Sequence, residues 1–186
     1  MSLRLFLALD LPAEHREEIG RRAAALGARL PDARWVRPEN LHLTLSFLGA
    51  TDEARLPELL TALRPAFAGT GPLTLEVAGA GTFPPARPGR VAWIGIRGGP
   101  ELLALQRQVA AAAAEALGIE PEKRPFHPHV TLARPRRPWN LRAGEDLAEA
   151  FAGRLGEPFT VAEGVLYRSD LAPGGAVYES VERFPL

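Results

Sequence analysis

Cysteine is absent from the 186 residues of this chain. Its absence excludes disulfide bonds, thiol nucleophiles and thiolate metal sites, and it fits a reducing compartment. Neither sign of charge dominates, because 22 Lys and Arg residues balance 22 Asp and Glu residues. No overall field would therefore draw a polyanion to the protein.

Long hydrophobic runs are missing as well. No stretch approaches the ~20 apolar residues of a membrane helix. The apolar start at residues 3–9 is interrupted by Arg4 and lacks the cleavage site of a signal peptide. The apolar fraction of 46% is typical of a globular protein. We expect a soluble, cytoplasmic protein, not bound to a membrane, that folds as a single domain over residues 1–186.

Two short segments share the pattern His-x-Thr-Leu. In each, apolar residues occupy one parity while His and Thr occupy the other, which is typical of a strand with one buried face. The alternation therefore predicts an imidazole and a hydroxyl side by side on each polar face. These residues are His42 and Thr44 in the first segment, and His129 and Thr131 in the second; Leu41, Leu43, Leu45 and Phe47 share the apolar parity of the first.

The remaining hydrophobic patterns predict an α+β fold with antiparallel strands and outer helices. A helix precedes each His strand in a similar context, so we infer an internal duplication that gives two lobes. The predicted strands cover residues 3–10, 41–47, 73–77, 91–96, 128–132, 159–167 and 176–184, the last two joined across Pro173, Gly174 and Gly175. The predicted helices begin at Pro12, near Asp52, at Pro100 and before Leu147, and Gly118 is expected to end the third.

Two imidazoles that face each other across a cleft are a matched acid–base pair, one protonated and one neutral. The hydroxyls of Thr44 and Thr131 would hold the nonbridging oxygens of a phosphate between them. Such a site suits in-line attack of water on a cyclic phosphodiester and requires neither a metal nor a cofactor. The residues alone do not assign the acid and the base, because the pair is nearly symmetric.

These segments resemble the paired His-x-Thr-x motifs of the two-histidine (2H) phosphoesterase superfamily. Within it, the chain is most similar to the bacterial and archaeal RNA 2′,3′-cyclic phosphodiesterases, also called 2′–5′ RNA ligase-like proteins. The similarity extends through residues 4–9, 37–42, 47–49 and 166–169 and covers essentially the whole chain.

The resemblance implies a bilobal fold of pseudo-two-fold duplicated antiparallel sheets around a central groove. It also implies hydrolysis of a 2′,3′-cyclic phosphate at an RNA 3′ end to a 2′-phosphate. His42 would be the proton donor to the leaving 3′ oxygen, and His129 the proton acceptor that activates water. Arg134 matches an arginine that follows the second motif in this family and would bind phosphate.

Three other functions remain open. A 2′–5′ RNA ligase would use the same acid–base pair in the reverse direction, although the mass action of water favours hydrolysis. A binding module would hold RNA or a nucleotide without chemistry. A third possibility is a phosphodiesterase for small cyclic-phosphate nucleotides. We expect RNA 3′ ends or such nucleotides as partners and no obligate protein partner.

A metal site built from His42, His127 and His129 is a competing interpretation. A hydrolytic metal normally adds a carboxylate ligand, and none lies near either motif in sequence. Asp170 or Glu39 would have to arrive from a distance. We therefore expect no metal and predict that His127 lies in a loop.

The other candidates are weaker. His15 is expected on the solvent side of a helix. Phe83, predicted to lie in a loop between the lobes, is a better candidate for base stacking than Trp93, which is predicted to be in the core. Phe126 is a further aromatic near the second motif. Basic residues around that motif could attract an anion or simply be solvated: Lys123, Arg124, Arg134, Arg136 and Arg137.

Overall fold

The computed structural model describes residues 1–30, 32–85, 89–173 and 175–186. Over these residues the chain forms nine strands and four α-helices. In chain order they are β1 (Ser2–Asp10), α1 (Ala13–Arg29), β2 (Ala33–Trp35), β3 (His42–Asp52), α2 (Leu56–Phe67), β4 (Leu73–Phe83), β5 (Val91–Arg97), α3 (Gly99–Leu117), β6 (His129–Pro135), α4 (Leu141–Ala150), β7 (Phe159–Val161), β8 (Glu163–Ala172) and β9 (Gly175–Pro185). Among the same residues no helix has the length and apolar character needed to cross a membrane.

The strands form one antiparallel sheet in the order β7-β4-β5-β6-β3-β1-β8-β9, and β2 adds to the free part of β6. Its two halves match when they are followed outward from the centre. The first His strand, β3, is flanked by β1, β8 and β9, and the second, β6, by β5, β4 and β7. The predicted α+β fold with duplicated antiparallel sheets is confirmed.

The apolar parity of the central strands faces a single core beneath the helices. Leu43, Leu45, Val130 and Leu132 are at most 2% exposed, and they belong to the same buried cluster as the apolar sides of the helices. Burying this side leaves the opposite side of β3 and β6, which carries the histidines, as the floor of the groove. Helix α3 ends at Gly118, whose φ of 65° suits a residue without a Cβ.

Two predicted segments differ from the structure. The single strand expected over residues 159–167 is wrong, because the chain turns at Ala162 and sends β7 to β4 and β8 to β1, in opposite halves of the sheet. Strand β4 continues to Phe83, so the loop expected from residue 79 begins later; residues 86–88 of that loop lie outside the described part. The final hairpin is present as β8 and β9, although its Gly174 also lies outside the described residues.

His15 is buried, and the expectation of a solvated side chain is wrong. Only 5% of the residue is exposed. It continues the buried stripe of α1 that Ile19, Ala23 and Leu26 form, at helical spacing. Its Nε2 lies 2.9 Å from the carbonyl oxygen of Glu157, so the ring ties the segment before β7 to α1.

Candidate active site

The two His strands meet at the centre of the sheet, where Leu43 pairs with Val130 in antiparallel register. Extending that register by one residue in each direction puts His42 opposite Thr131 and Thr44 opposite His129. The four side chains therefore form a square on the groove face, with the two histidines on one diagonal. All four are partly exposed. The structure thus brings together the histidines and threonines that the sequence singled out.

Each histidine is fixed in the same way. His42 Nδ1 lies 2.7 Å from the carbonyl oxygen of Asn40, and His129 Nδ1 lies 2.6 Å from that of His127. A carbonyl only accepts, so both Nδ1 atoms carry hydrogen and both Nε2 atoms are left for chemistry. His42 Nε2 is also 3.1 Å from the Thr44 hydroxyl. With hydrogen on Nδ1, a neutral ring can accept a proton at Nε2, and a protonated ring can donate one from Nε2.

A β-bulge in β6 brings Arg134 to the groove face. Thr131 pairs with Trp93, whereas the next pair joins Ala133 to Ala92, so β6 holds one extra residue between them. The extra residue reverses the alternation of side chains along β6, so Arg134 lies on the same face of the sheet as His129 and Thr131. Within the described residues Arg134 makes no ion pair, unlike Lys123 and Arg124, which pair with Glu120 and Glu122.

A corresponding bulge in β3 brings Phe47 to the same face. Leu7 pairs with Ser46 and Ala8 with Thr44, so β3 also holds an extra residue after its threonine. Phe47 is 70% exposed, and its ring centroid lies 6.1 Å from that of Phe6. The prediction that Phe47 shares the buried face is therefore wrong. Phe47 and Arg134 hold equivalent positions in the two halves.

The neighbours of the two histidines break the symmetry. Asp10 of β1 pairs with His42, and the Tyr167 hydroxyl donates to both Asp10 carboxylate oxygens, at 2.8 and 3.0 Å. In the other half, Gly95 of β5 pairs with His129. A carboxylate thus stands beside one imidazole, and no side chain stands in the matching position beside the other.

These surroundings affect the two imidazoles differently. Burial lowers the pKa of His42 below its ordinary value and the charge of His129 lowers it further, while the bond to the Asn40 carbonyl and the carboxylate of Asp10 oppose that change. Burial also lowers the pKa of His129, and the positive charges of His127 and Arg134 lower it further, against the bond to the His127 carbonyl. Burial thus acts against the charged form of both rings, and the neighbour that separates them is the carboxylate of Asp10, which favours the proton on His42 and has no counterpart beside His129.

The structure places the remaining candidates at the edge of the site or outside it. His127 is exposed and contributes its carbonyl group. Within the described residues, no group of three His, Asp or Glu side chains is close enough to hold a metal ion. Trp93 and Phe83 lie beside His129, with ring centroids 6.5 and 5.1 Å from it. Phe126 packs at the edge of the core.

Residues 11–173 match the sequence profile of the 2′-5′ RNA ligase superfamily. The chain belongs to this superfamily. Over its full length it is 34% identical to an RNA 2′,3′-cyclic phosphodiesterase of Methanothermobacter thermautotrophicus, which is also covered completely. The protein TT0787 of Thermus thermophilus has a similar structure, with a TM-score of 0.81, 30% identity, and coverage of 99% of this chain and 98% of that one. Escherichia coli LigT complexed with 3′-AMP has a TM-score of 0.72 and 32% identity, over 100% and 99% of the two chains.

Several groups at the candidate site were not identified from the sequence. Asp10 and Tyr167 form the hydrogen-bonded pair beside His42, and Phe6 and Tyr178 contact the His42 ring with centroids 4.8 and 5.3 Å away. One signal was available for Asp10, which is the polar end of an apolar strand and shares the parity of Phe6. Tyr167 and Tyr178 lie more than 120 residues from His42 in sequence, and only the strand pairing reveals their proximity.

Proposed function

We infer that this protein hydrolyses the 2′,3′-cyclic phosphodiester at an RNA 3′ end and leaves a 2′-phosphate. The observation that carries the proposal is the pair of imidazoles, each held through Nδ1 so that Nε2 is available in one groove. The relative from Methanothermobacter thermautotrophicus is named for this activity, and the LigT structure holds a nucleotide, 3′-AMP.

In the proposed reaction the cyclic phosphate lies between the two histidines. The water oxygen attacks phosphorus as His129 Nε2 takes its proton, and the bond from phosphorus to the 3′ oxygen breaks as His42 Nε2 gives a proton to that oxygen. Thr44 and Thr131 donate hydrogen bonds to the nonbridging oxygens, and Arg134 offsets the charge that develops there. His129 then gives its proton to solvent and His42 takes one from solvent, which restores both imidazoles.

The assignment of His42 as donor and His129 as acceptor is supported by the charges around them. An acid should be protonated at the working pH, and Asp10 favours that state of His42. A base should be neutral, and the positive charges of His127 and Arg134 favour that state of His129. The 3′ oxygen and the terminal nucleoside then lie on the His42 side of the groove, and water enters on the His129 side.

Phe47 is the proposed platform for the base of the terminal nucleotide. It is a large aromatic side chain, mostly exposed, on the His42 side of the groove face, where the nucleoside must lie. Nucleobases stack on such rings irrespective of sequence, with a contribution of about 1–3 kcal/mol. The equivalent position in the other half carries Arg134, which suits the phosphate.

In this proposal the substrate is an RNA 3′ end, and the reaction takes place in the cytoplasm without a metal or a cofactor. Residues 1–186 act as one bilobal domain. The two imidazoles carry out both proton transfers of the reaction, and the threonine hydroxyls hold the phosphate. Small cyclic-phosphate nucleotides are the alternative substrate class, and binding without turnover is the alternative function.

The test is incubation of the purified protein, in excess chelator, with a short RNA that ends in a 2′,3′-cyclic phosphate. We expect complete conversion to the 2′-phosphate, identified against 2′- and 3′-phosphate standards, and loss of turnover in His42→Ala and His129→Ala. The same loss in both variants also excludes a contaminating nuclease. A 3′-phosphate product would contradict the assigned leaving group, and tight binding without product would indicate a binding module.

A further inference from the structure

Arg4 lies on the groove face of the sheet and has no part in the hydrolysis described above. The leucines at positions 5, 7 and 9 of β1 belong to the buried core, whereas Phe6 contacts the His42 ring on the other face. Alternation along the strand puts Arg4 on the same face as Phe6. The residue is exposed, so its guanidinium group can meet a molecule bound in the groove.

Arg4 lies further along the groove than the proposed platform for the terminal base. In the pairing of β1 with β3, Ala8 lies opposite Thr44 at the phosphate site, and Arg4 lies opposite Ala50. Phe47 lies between these two rows of residues. The two rows are four residues apart along β1, which is about 13 Å at the rise of a strand. The proposed place of the terminal nucleoside therefore lies between the phosphate site and Arg4.

The charge of Arg4 has no acidic partner in the part of the chain that the structure describes. By contrast, Arg168 of β8 pairs with the buried Leu5, lies on the opposite face, and forms ion pairs with two carboxylates. Burial raises the pKa of Tyr178, and the positive charges of Arg134 and Arg4 lower it. The two arginines therefore act on the same hydroxyl group, and both contribute positive potential to the groove.

The other half of the sheet is closed at the corresponding place. Trp93 takes the position of Ala8 beside the second threonine, and Gly89 lies four residues before it, as Arg4 does before Ala8. Gly89 is buried and pairs with Trp139. The exposed, positively charged end of the groove is thus on the side of the proton donor, where the proposed reaction puts the nucleoside.

We propose that Arg4 binds an internucleotide phosphate of the RNA strand that leads to the cyclic end. This inference rests on the proposed function, because it uses the same phosphate position and the same place for the terminal nucleoside. A strand whose last base stacks on Phe47 continues past that ring toward Arg4. Arginine donates charge-assisted hydrogen bonds to phosphate oxygens. Arg4 thereby distinguishes RNA from a cyclic mononucleotide, which has no internucleotide phosphate.

The experiment compares substrates that differ in the number of internucleotide phosphates. The series is cytidine 2′,3′-cyclic phosphate and the di- and trinucleotides that end in the same cyclic nucleotide. A second series carries an uncharged methylphosphonate in place of each internucleotide phosphate. Arg4→Gln removes the charge from the groove. Arg107→Gln is the matched control, because Arg107 is an exposed arginine of α3, which packs on the other side of the sheet.

With the wild-type protein we expect KM to fall about 3- to 30-fold when the phosphate that reaches Arg4 is added, an effect between those of an exposed ion pair and of a hydrogen bond to a charged group. The kcat should not change, because the contact is the same in the ground state and the transition state. Arg4→Gln should remove this gain and leave kcat and KM for the cyclic mononucleotide as in the wild type. It should also lower the slope of log KM against log salt concentration by about 0.7. A methylphosphonate at the same linkage should have the effect of the substitution, with no further loss when the two are combined.

Three results would overturn the inference. One is a KM that does not change as internucleotide phosphates are added. Another is a gain that persists in Arg4→Gln, or that Arg107→Gln removes equally. A third is an equal loss in Arg4→Gln for the mononucleotide and the longer substrates, which would mean that Arg4 only supports the fold of β1. Absence of any hydrolysis would instead contradict the proposed function, and equilibrium binding of the same RNAs with a terminal 2′-phosphate would then test Arg4 separately.

Discussion

Replacing Asp10 with Asn should reveal which histidine is the acid. The amide has nearly the size of the carboxylate and keeps an oxygen that accepts from the Tyr167 hydroxyl, so the change removes charge with little change in packing. Burial lowers the pKa of His42, and the bond to the Asn40 carbonyl and the carboxylate of Asp10 raise it. Without the carboxylate, the pKa of His42 falls, and the imidazolium is lost at lower pH.

The size of the shift follows from the strand pairing. Directly opposed residues have Cβ atoms about 4.5–5.5 Å apart, and two unit charges about 6 Å apart interact by ~0.7 kcal/mol at a dielectric constant of 80 and ~2.8 kcal/mol at 20. The Asp10 side chain is 30% exposed, so solvent screening favours the lower part of that range. We expect the pKa of His42 to fall, and an interaction of about 0.7–1.4 kcal/mol is a factor of about 3–10 in its protonated fraction above that pKa.

The assay is kcat/KM for the cyclic-phosphate RNA as a function of pH, because this ratio reports the free enzyme. Burial lowers the pKa of both histidines from 6.5, so the wild-type rate should already be falling at pH 7. If His42 is the acid, Asp10→Asn lowers the alkaline limb about 3- to 10-fold and leaves the acid limb in place. His127→Gln is the matched variant: it removes positive charge beside His129, raises the pKa of the base, and lowers the acid limb only.

The two limbs respond differently if the roles are exchanged. With His42 as the base, a lower pKa makes more of it neutral in acid, so Asp10→Asn would raise the acid limb and leave the alkaline limb unchanged. That outcome would refute the assignment of His42 as donor. An unchanged profile, together with an unchanged NMR titration of His42, would refute the electrostatic argument itself.

Three further predictions follow from the site. His42→Ala and His129→Ala should each lower kcat about 10²- to 10⁴-fold with the thermal midpoint within a few degrees of wild type, since both side chains are partly exposed; a loss below threefold would contradict acid–base catalysis. Phe47→Leu should raise the KM for the RNA about 5- to 100-fold and change the free energy of unfolding by less than about 0.5 kcal/mol. Phe6→Leu is the control: because Phe6 is 3% exposed, this change should measurably destabilise the fold in urea. Activity should be unchanged by dialysis against chelator, and recovery on addition of zinc or manganese after a loss would revive a metal mechanism.

The sequence pattern correctly predicted which face of the sheet carries the central side chains, and it was wrong for residues a few positions away. Alternation placed His42 and Thr44, and likewise His129 and Thr131, on common faces because those residues lie in regular strand. It failed at Phe47 because β3 contains a bulge, and a bulge depends on how a strand pairs with its neighbour rather than on its own sequence. The same irregularity in β6 is what brings Arg134 to the groove.

Long-range pairing explains the other differences. Residues 159–167 look like one strand, yet β7 and β8 pair in opposite halves of the sheet. The weak strand formers Ala162, Glu163 and Gly164 mark the break, but the sequence does not show that the two parts have different partners. His15 looks like an exposed helix residue among charged neighbours until its spacing to Ile19 and Ala23 is considered. Asp10 gains its significance only from the strand beside it, which begins 32 residues further along the chain.

The duplicated sheet gives the two histidines the same backbone geometry, so direction across the groove must come from side chains that differ between the halves. A symmetric frame holds a phosphate equally well in either orientation, whereas the substrate has a nucleoside on one side and a nucleophile on the other. In the proposed reaction each difference at a paired position distinguishes one side: the carboxylate favours the proton on the donor, the exposed ring beyond the same strand stacks on the terminal base, and a glycine and a tryptophan stand beside the proton acceptor. The paired positions are Asp10 and Gly95, Ala8 and Trp93, and Phe47 and Arg134.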